Sequence, residues 1–325
     1  MIKIRPTEGE GFMKKIVYMA CALMLLSFLS SCTLLKISLD EETLPLTERV
    51  ISGEGRDKIL LIDISGFISS EDKTSIFSSK KQLGILALIR EQLDRARSDR
   101  NVKAIILRIN SPGGSVTASD MLYHEIKKFK LDTGVKVFAH VMDMGTSGAY
   151  YAALSADRIT AQPTSVTGSI GVIMFRIDAT GLMQKIGVQA IEISSGEKKG
   201  MGSPFRQFSA EEQSIFQDMI NSLQGRFVST VVEERKLPLD KVKKLADGRI
   251  YTSQEALAAG LIDGIAYLDE AVDQTKKLAN IGQASVVTYF RPGEYRTNLY
   301  SMNLINIDTG GMMQPGVTFM YVWWP

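Results

Sequence analysis

Two serines stand in glycine-containing stretches where a nucleophile would fit. Ser169 lies in TGSIGV, in which small residues on either side leave room for a substrate, and a turn residue is the alternative interpretation. Ser147 lies in MGTSGAYY, which resembles half of a G-x-S-x-G nucleophile elbow with Ala149 in place of the last glycine. Because serine is a common N-cap residue, the sequence favours a cap over a nucleophile at Ser147. Ser169 is therefore the stronger candidate.

A serine nucleophile needs a base, and the chain has only two histidines. His140 is so close to the elbow-like serine in sequence that its side chain would have to fold back along a strand. His124 lies in an amphipathic helical pattern and is more simply a solvated or capping residue. Lysine is then the better candidate base, because burial against apolar groups lowers the pKa of a lysine by several units.

Two lysines, Lys198 and Lys199, occur in the glycine-rich stretch SSGEKKGMGSPF. An exposed basic loop is the ordinary interpretation of such a stretch, since lysine is seldom buried. A neutral lysine that accepts a proton from Ser169 is the alternative, and the pattern by itself leaves both open.

The stretch INSPGGSV, residues 109–116, ends a buried strand with a proline and two glycines and then opens a helix. Gly113 and Gly114 allow backbone N–H groups to turn toward a ligand, and the start of the helix adds a positive dipole. Such a turn can hold an oxyanion or a phosphate, although the lysine and Ser/Thr of a P-loop are missing. A tight strand-to-helix turn is the alternative.

The elements that must position these residues alternate between strand and helix. Predicted strands are DKILLIDIS, VKAIILRI, KVFAHVM, DRITAQ, IGVIM and VQAIEIS, and predicted helices are GILALIREQLDRARSD, ASDMLYHEIKKFK and TSGAYYAALSA. This alternation predicts an α/β fold with a parallel sheet and right-handed crossovers. From Ser209 the chain becomes helical, and a capping box of Ser209 and Glu212 is predicted to open that part.

The N-terminal segment has the layout of a secretory signal. Lys14 and Lys15 precede an apolar run over 16–29, and the segment ends in LSSC at Cys32. Because LSSC resembles a bacterial lipobox, we expect cleavage before Cys32 and lipidation of its sulfur, with an uncleaved membrane anchor as the alternative. Both place the rest of the chain outside the cytoplasm, and a translation start at Met13 fits this layout.

The composition argues against several other kinds of site. The net charge is +2 and no Lys/Arg-rich run stands out, so we expect no nucleic-acid partner. Cys21 and Cys32 are the only cysteines, which leaves the body without a disulfide or a thiol nucleophile. With two histidines and no Cys/His cluster, we expect neither a metal site nor a cofactor.

Five stretches together resemble the signal peptide peptidase A family, the S49 serine–lysine peptidases on the Clp protease/crotonase fold. They are INSPGGSV, TSGAYYAALSAD, TGSIGVI, SGEKKGMGSPF and IYTSQEALAAGLID, in the family's order over about residues 58–275. The resemblance implies a single-domain ββα superhelix with flanking helices. It implies Ser169 as nucleophile and Lys199 as general base, with Lys198 as a neighbour whose charge keeps Lys199 neutral. It also implies an oxyanion hole from the N–H groups of Gly113 and Gly114, to which Ser169 N–H adds.

The stretch around Ser147 departs from the family pattern, which usually reads Ala-Ser-Gly-Gly, at Thr146 and Ala149. The chain also resembles the short form of the family, whereas some relatives carry two tandem copies. In that family the serine and the lysine that work together come from different copies or subunits. The resemblance therefore implies a homo-oligomeric ring with shared active sites.

These observations divide the chain into a signal over 1–32, a linker over 33–55, a peptidase domain over 56–280 and a C-terminal oligomerisation or contact segment over 281–325. The expected function is a membrane-associated serine endopeptidase that degrades cleaved signal peptides on the periplasmic side of the cell membrane. The alternatives are a non-catalytic membrane scaffold of the same fold and a crotonase-fold enzyme acting on acyl-CoA.

Overall fold

The structure of the protein is a computed structural model that describes residues 45–71, 73–74, 81–291, 297–301 and 318–323. The predicted signal segment and its lipidation candidate, Cys32, lie outside these residues. Within the described part of the chain, no helix is both long enough and apolar enough to cross a membrane.

The strands of the described residues fall into a large sheet and two small ones. In chain order they are β1 (Thr47–Ser52), β2 (Asp57–Ser65), β3 (Lys73–Thr74), β4 (Lys81–Gln82), β5 (Val102–Ser111), β6 (Gly113–Ser115), β7 (Lys136–Thr146), β8 (Arg158–Ala161), β9 (Val166–Gly168), β10 (Ile173–Phe175), β11 (Ile250–Thr252), β12 (Gly264–Ile265), β13 (Ala284–Phe290) and β14 (Thr318–Val322).

Parallel pairing dominates the large sheet. Its order is β1-β13-β2-β5-β7-β8-β12, and β9 with β11 continues it from the carboxyl end of β7. Neighbours from β13 to β12 are parallel, whereas β1 and β11 pair antiparallel. The prediction of an α/β fold on a parallel sheet is confirmed. The nearly continuous burial of β5 fits a strand that is covered on both faces.

Helices cover both faces of this sheet. In chain order they are α1 (Ile85–Ser98), α2 (Val116–Thr133), α3 (Gly148–Ala153), α4 (Thr180–Ile186), α5 (Ala210–Arg235), α6 (Leu239–Leu245), α7 (Ser253–Ala259) and α8 (Leu268–Leu278). Alternate residues of β2 enter two separate core clusters, one shared with α1, α2 and α3 and the other shared with α8. The predicted capping box is present, since Ser209 accepts from the N–H of Glu212 and the Glu212 side chain accepts from the N–H of Ser209.

A small antiparallel sheet lies at the carboxyl end of β5. The C-terminal strand β14 runs between β6, which contains both glycines of the PGG turn, and β10, which follows Ser169. Tyr321 stands opposite Gly114, and Met320 stands opposite both Ser115 and Ile173. The last strand of the chain is therefore brought to the candidate site.

Three sequence predictions differ from the structure. The predicted linker over 33–55 contains β1, which pairs with β13. The sequence of β1 is polar because a strand at the edge of a sheet needs little apolar surface. The predicted C-terminal contact segment over 281–325 contains β13, which enters the large sheet between β1 and β2. The predicted strand VQAIEIS is wrong, because residues 188–194 form no strand and Ile191 and Ile193 are 84% and 95% exposed.

Candidate active site

Two adjacent parallel strands deliver the two candidate serines to one edge of the sheet. β7 ends at Thr146, which stands opposite Gly168 at the end of β9. Ser147 and Ser169 are the next residues of the two strands, so they lie side by side. The N–H of Ser147 donates to the carbonyl of Gly168 at 2.7 Å, which fixes this arrangement.

Ser147 has the backbone conformation of a nucleophile elbow. Its φ is 53° and its ψ is −116°, a conformation that residues with a side chain rarely adopt. The residue lies in a sharp strand-to-helix turn, is 1% exposed, and its Oγ has no hydrogen-bond partner among the described residues. Ser147 occupies the predicted N-cap position of α3, but its side chain makes no capping hydrogen bond to this helix. Strain of this kind often marks a functional site.

Ser169 also has a positive φ, of 49°, and is 6% exposed. Its N–H donates to the carbonyl of Arg249 at 2.8 Å. This bond uses the amide that was expected to contribute to the oxyanion hole, so that part of the prediction is wrong. The Ser169 side chain borders a cavity of about 380 Å³.

The cavity beside Ser169 also has Gln224, Val322 and Trp323 in its wall. The amide nitrogen of Gln224 donates to the carbonyl of Ala246 at 2.8 Å. The side-chain oxygen of Gln224 is buried and has no partner among the described residues.

The PGG turn lies against the start of α3. Gly113 has a φ of 103°, and a Cβ placed on it would lie 2.8 Å from the amide nitrogen of Gly148. The same Cβ would overlap the carbonyl oxygen of Tyr321 in β14. Only glycine allows these three backbone segments to approach so closely. The predicted oxyanion turn and Ser147 are therefore neighbours.

The amides of the predicted oxyanion hole already have partners within this chain. The N–H of Gly113 donates to Ser111 Oγ at 3.1 Å. Trp323 N–H donates to the carbonyl of Pro112. Because hydrogen-bonded pairs alternate along an antiparallel ladder, Gly114 and Tyr321 form the next hydrogen-bonded pair, and the N–H of Gly114 is then used by the carbonyl of Tyr321.

Sequence reasoning missed Gly148, the residue after the elbow serine. In nucleophile elbows the N–H of that residue is an oxyanion donor. The elbow-like spacing of MGTSGAYY is the signal that would have identified it.

Lys199 is not brought to either serine within the single chain. It lies in a turn over 197–200, its side chain is exposed, and it makes no hydrogen bond or ion pair with Ser147 or Ser169 in the described part of the structure. Lys198 forms an ion pair with Glu211, which compensates the charge that was expected to keep Lys199 neutral.

The histidines have no contact with the serines. His140 is fully buried, its Nδ1 lies 2.9 Å from Thr160 Oγ1, and burial lowers its pKa to about 4. His124 is exposed on α2. Neither histidine hydrogen-bonds a serine of the described residues, which agrees with the preference for another base.

The segments that form this site match two models of known protein families. A model of peptidase family S49 matches residues 129–282, which include both serines and Lys199. A model of Clp protease matches residues 62–184, which include the PGG turn.

Individual proteins are also similar over most of the chain. A protein of Enterococcus faecium, provisionally named signal peptide peptidase SppA, is 34% identical across 75% of this chain and 70% of its own length. A protein of Methanocaldococcus jannaschii, provisionally named a protease, is 33% identical across 85% of this chain and 87% of its own length. The chloroplastic serine protease SPPA of Arabidopsis thaliana is 33% identical across 75% of this chain and 36% of its own length.

Proposed function

The chain belongs to peptidase family S49, and we propose that it is a serine endopeptidase in which Ser147 is the nucleophile and Lys199 of a neighbouring copy is the general base. The observation behind this proposal is the elbow at Ser147 beside the PGG turn, where φ is strained and the Oγ has no partner among the residues that the structure describes. The sequence favoured Ser169 instead. Since the two serines are neighbours, one incoming lysine would reach either, and the test below separates them.

The reaction follows from the positions of these groups. A neutral lysine accepts the proton of Ser147 Oγ while this oxygen attacks the carbonyl carbon of the scissile peptide. The N–H of Gly148, together with the PGG amides once they are free, holds the oxyanion. The lysine returns the proton to the leaving amine, and an acyl-enzyme remains. Water then attacks the acyl-enzyme with the lysine again as base.

A shared active site is part of the proposal, because Lys199 is exposed and apart from the serines in the single chain. A lysine acts as a base near neutral pH only where burial or a neighbouring positive charge lowers its pKa. A second copy supplies that burial if Lys199 enters the cavity beside Ser169. The hydroxyl group of Ser169, which borders this cavity, would then accept a hydrogen bond from the lysine.

Exposed apolar side chains around Lys199 support an assembly of several copies. We call residues 173–205 the apolar arm. Nine of its large hydrophobic residues are 39% to 95% exposed, namely Ile173, Phe175, Ile177, Leu182, Ile186, Val188, Ile191, Ile193 and Phe205. Exposed apolar surface of this extent on one segment is typical of an interaction site. The proposed assembly is a homo-oligomer in which the arm packs against another copy.

The proposed substrates are apolar peptides, including cleaved signal peptides, and the proposed location is the outer face of the cell membrane. The position of strand β14 between β6 and β10 supports a groove that would take an extended segment. Attachment through a lipid on Cys32 would place the site near such peptides. Metabolic labelling with palmitate tests the anchor: the wild type is labelled and Cys32→Ser is not. Label on both chains would exclude Cys32 as the lipid site.

Complementation between inactive variants tests the shared dyad. Cleavage of an apolar fluorogenic peptide is expected to disappear in Ser147→Ala and in Lys199→Ala. A mixture of the two variants that is dissociated and reassembled is expected to regain activity, because some sites combine an intact serine with an intact lysine. Ser169→Ala is expected to keep measurable activity, and Lys198→Ala is the control beside Lys199.

Other outcomes lead to different conclusions. If Ser147→Ala is active and Ser169→Ala is not, the nucleophile is Ser169. If no form of the chain cleaves peptides, the non-catalytic scaffold replaces this proposal. Membership of a peptidase family leaves the acyl-CoA alternative without support.

A further inference from the structure

The segment that carries Lys199 contains short backbone turns. We call residues 196–206 the lysine loop. The N–H of Lys199 donates to the carbonyl of Gly196 at 3.0 Å, and the N–H of Ser203 donates to the carbonyl of Gly200 at 3.2 Å. These turns define the local path of the chain, but they do not orient the loop on the rest of the fold. Side chains that tie the loop to its surroundings therefore decide where Lys199 is presented.

Arg206 ties the lysine loop to the start of α5. Its Nε donates to the carbonyl of Gly200, the residue after Lys199, at 3.1 Å. A terminal nitrogen of the same guanidinium donates to Glu212 Oε1 in the first turn of α5. A third contact is the ion pair with Glu192, at 3.4 Å. Because a planar guanidinium donates in fixed directions, these contacts define the position of the loop relative to the helix.

Glu212 is a fixed partner for this arginine. It is 3% exposed, and its second carboxylate oxygen accepts from the N–H of Ser209 at 3.1 Å within the capping box. Both oxygens are therefore used, which restricts the carboxylate to one orientation. Burial by itself raises the pKa of this carboxyl group, but the hydrogen bond from Ser209 and the guanidinium of Arg206 hold the pKa below its usual value. Glu212 is thus a charged and immobile anchor.

Arg176, which follows β10, holds the C-terminal end of the lysine loop. One terminal nitrogen of its guanidinium donates to the carbonyl of Ser203 at 2.7 Å and to the carbonyl of Arg206 at 2.6 Å. The backbone adds a bond from the N–H of Ala179 to the carbonyl of Pro204, at 2.8 Å. The loop is therefore fastened to two separate parts of the chain, the start of α5 and the segment after β10.

We propose that Arg206 and Glu212 are positioning residues for the general base, because they fix the loop from which Lys199 reaches a neighbouring copy. This inference rests on the proposed function, since it takes Lys199 to be the base of a shared site. Their contacts described above lie on the apolar arm and on α5, so they act through the loop and not on the reacting atoms. A displacement of about 1 Å can cost a hundredfold in rate, so the effect is expected in kcat.

Substitutions in the full chain separate positioning from damage to the fold. Arg206→Gln and Glu212→Gln are each expected to lower kcat for an apolar fluorogenic peptide about tenfold with KM unchanged. Glutamine at position 212 keeps a side-chain oxygen for the cap. Glu255→Gln is the matched control, because Glu255 closes the same kind of capping box at the start of α7 through bonds to Thr252, and it is expected to change neither constant.

The double variant tests whether the two side chains act as one unit. Residues that share one interaction have non-additive effects, so Arg206→Gln combined with Glu212→Gln is expected to be about as slow as either single variant. Multiplied losses in the double variant would overturn the proposal, and so would an unchanged kcat in the folded single variants.

Mixtures of reassembled copies test on which side of the shared site Arg206 acts. Per copy of Arg206→Gln, mixing with Ser147→Ala is expected to raise activity severalfold, because an intact loop then meets an intact serine. Mixing with Lys199→Ala is expected to give no gain, because neither copy has both Lys199 and Arg206. Glu212→Gln is expected to give the same pattern.

Two results of these mixtures would count against the proposal in different ways. A gain with Lys199→Ala, or no gain with Ser147→Ala while Ser147→Ala and Lys199→Ala complement each other, would overturn the role of Arg206 and leave the shared dyad in place. If Ser147→Ala and Lys199→Ala do not complement each other, the shared dyad is wrong and the positioning role fails with it.

Discussion

At the scale of single residues, Ser147 and Ser169 differ in ways that a sequence pattern does not record. The frequency of serine at N-caps favoured a cap at Ser147. The fold instead gives this residue a φ of 53° and leaves its Oγ unpartnered among the described residues. This strained backbone conformation depends on how β7, β9 and α3 meet in the folded chain. The elbow spacing was therefore visible in the sequence, whereas the conformation that supports it was not.

His140 allows a prediction about stability at the same scale. Its pKa falls from 6.5 to about 4 on folding because of burial. Between these pH values His140 is protonated in the unfolded chain and neutral in the folded chain. The free energy of unfolding therefore decreases as the pH falls below 6.5. The loss attributable to this group is about 3 kcal/mol by pH 4. Chemical denaturation between pH 4 and 7 is expected to show that the free energy of unfolding falls less steeply with pH in His140→Gln than in the wild type. An equally steep fall in both proteins would contradict this role of His140.

At the scale of elements, the parallel sheet was predictable and its edges were not. Strands such as VKAIILRI are recognisable because burial on both faces makes them continuously apolar. β1 pairs with one strand only and has a polar sequence. β13 pairs with β2, which lies more than two hundred residues away in the chain, and local sequence patterns do not predict such a distant pairing. The apolar stretch VQAIEIS looks like a strand, but its side chains are exposed on the apolar arm. The site was predictable in its glycine turn and its serine-bearing strands, but the position of β14 was not.

The PGG turn provides a prediction at this scale. Gly113→Ala is expected to reduce peptide cleavage at least about tenfold, because a Cβ there meets the backbone of β14 and α3 in a strained φ. Gly134→Ala is the matched control: its φ is also positive, at 71°, but a Cβ there meets nothing within 4 Å. The control is expected to lose about 1 kcal/mol of stability and no activity. Peptide-cleavage assays and thermal unfolding of both variants measure these losses of activity and stability. Equal losses of activity in the two variants would contradict the role of Gly113.

At the scale of the whole molecule, the proposed active site needs more than one copy of the chain. The single chain contains a preformed serine elbow and an exposed lysine that do not meet. The apolar arm that flanks the lysine is the surface through which a second copy is proposed to bring it into position.

Substitution on the apolar arm tests assembly directly. Ile193→Asp changes a side chain that is 95% exposed, so it leaves the fold of the single chain intact. Burial of a charge at the contact is expected to shift the protein to smaller species in sedimentation and to reduce peptide cleavage in parallel. Leu131→Asp, at a residue 75% exposed on α2 and outside the arm, is expected to change neither. An Ile193→Asp chain that stays assembled and active would exclude this surface.

The identity of the nucleophile is the central claim, and covalent labelling tests it most directly. A peptidyl phosphonate forms a stable bond with an activated serine, and mass spectrometry of the digested protein locates it. The label is expected on Ser147, and Ser147→Ala and Lys199→Ala are both expected to prevent labelling. A label on Ser169 that persists in Ser147→Ala would show that Ser147 is not the nucleophile.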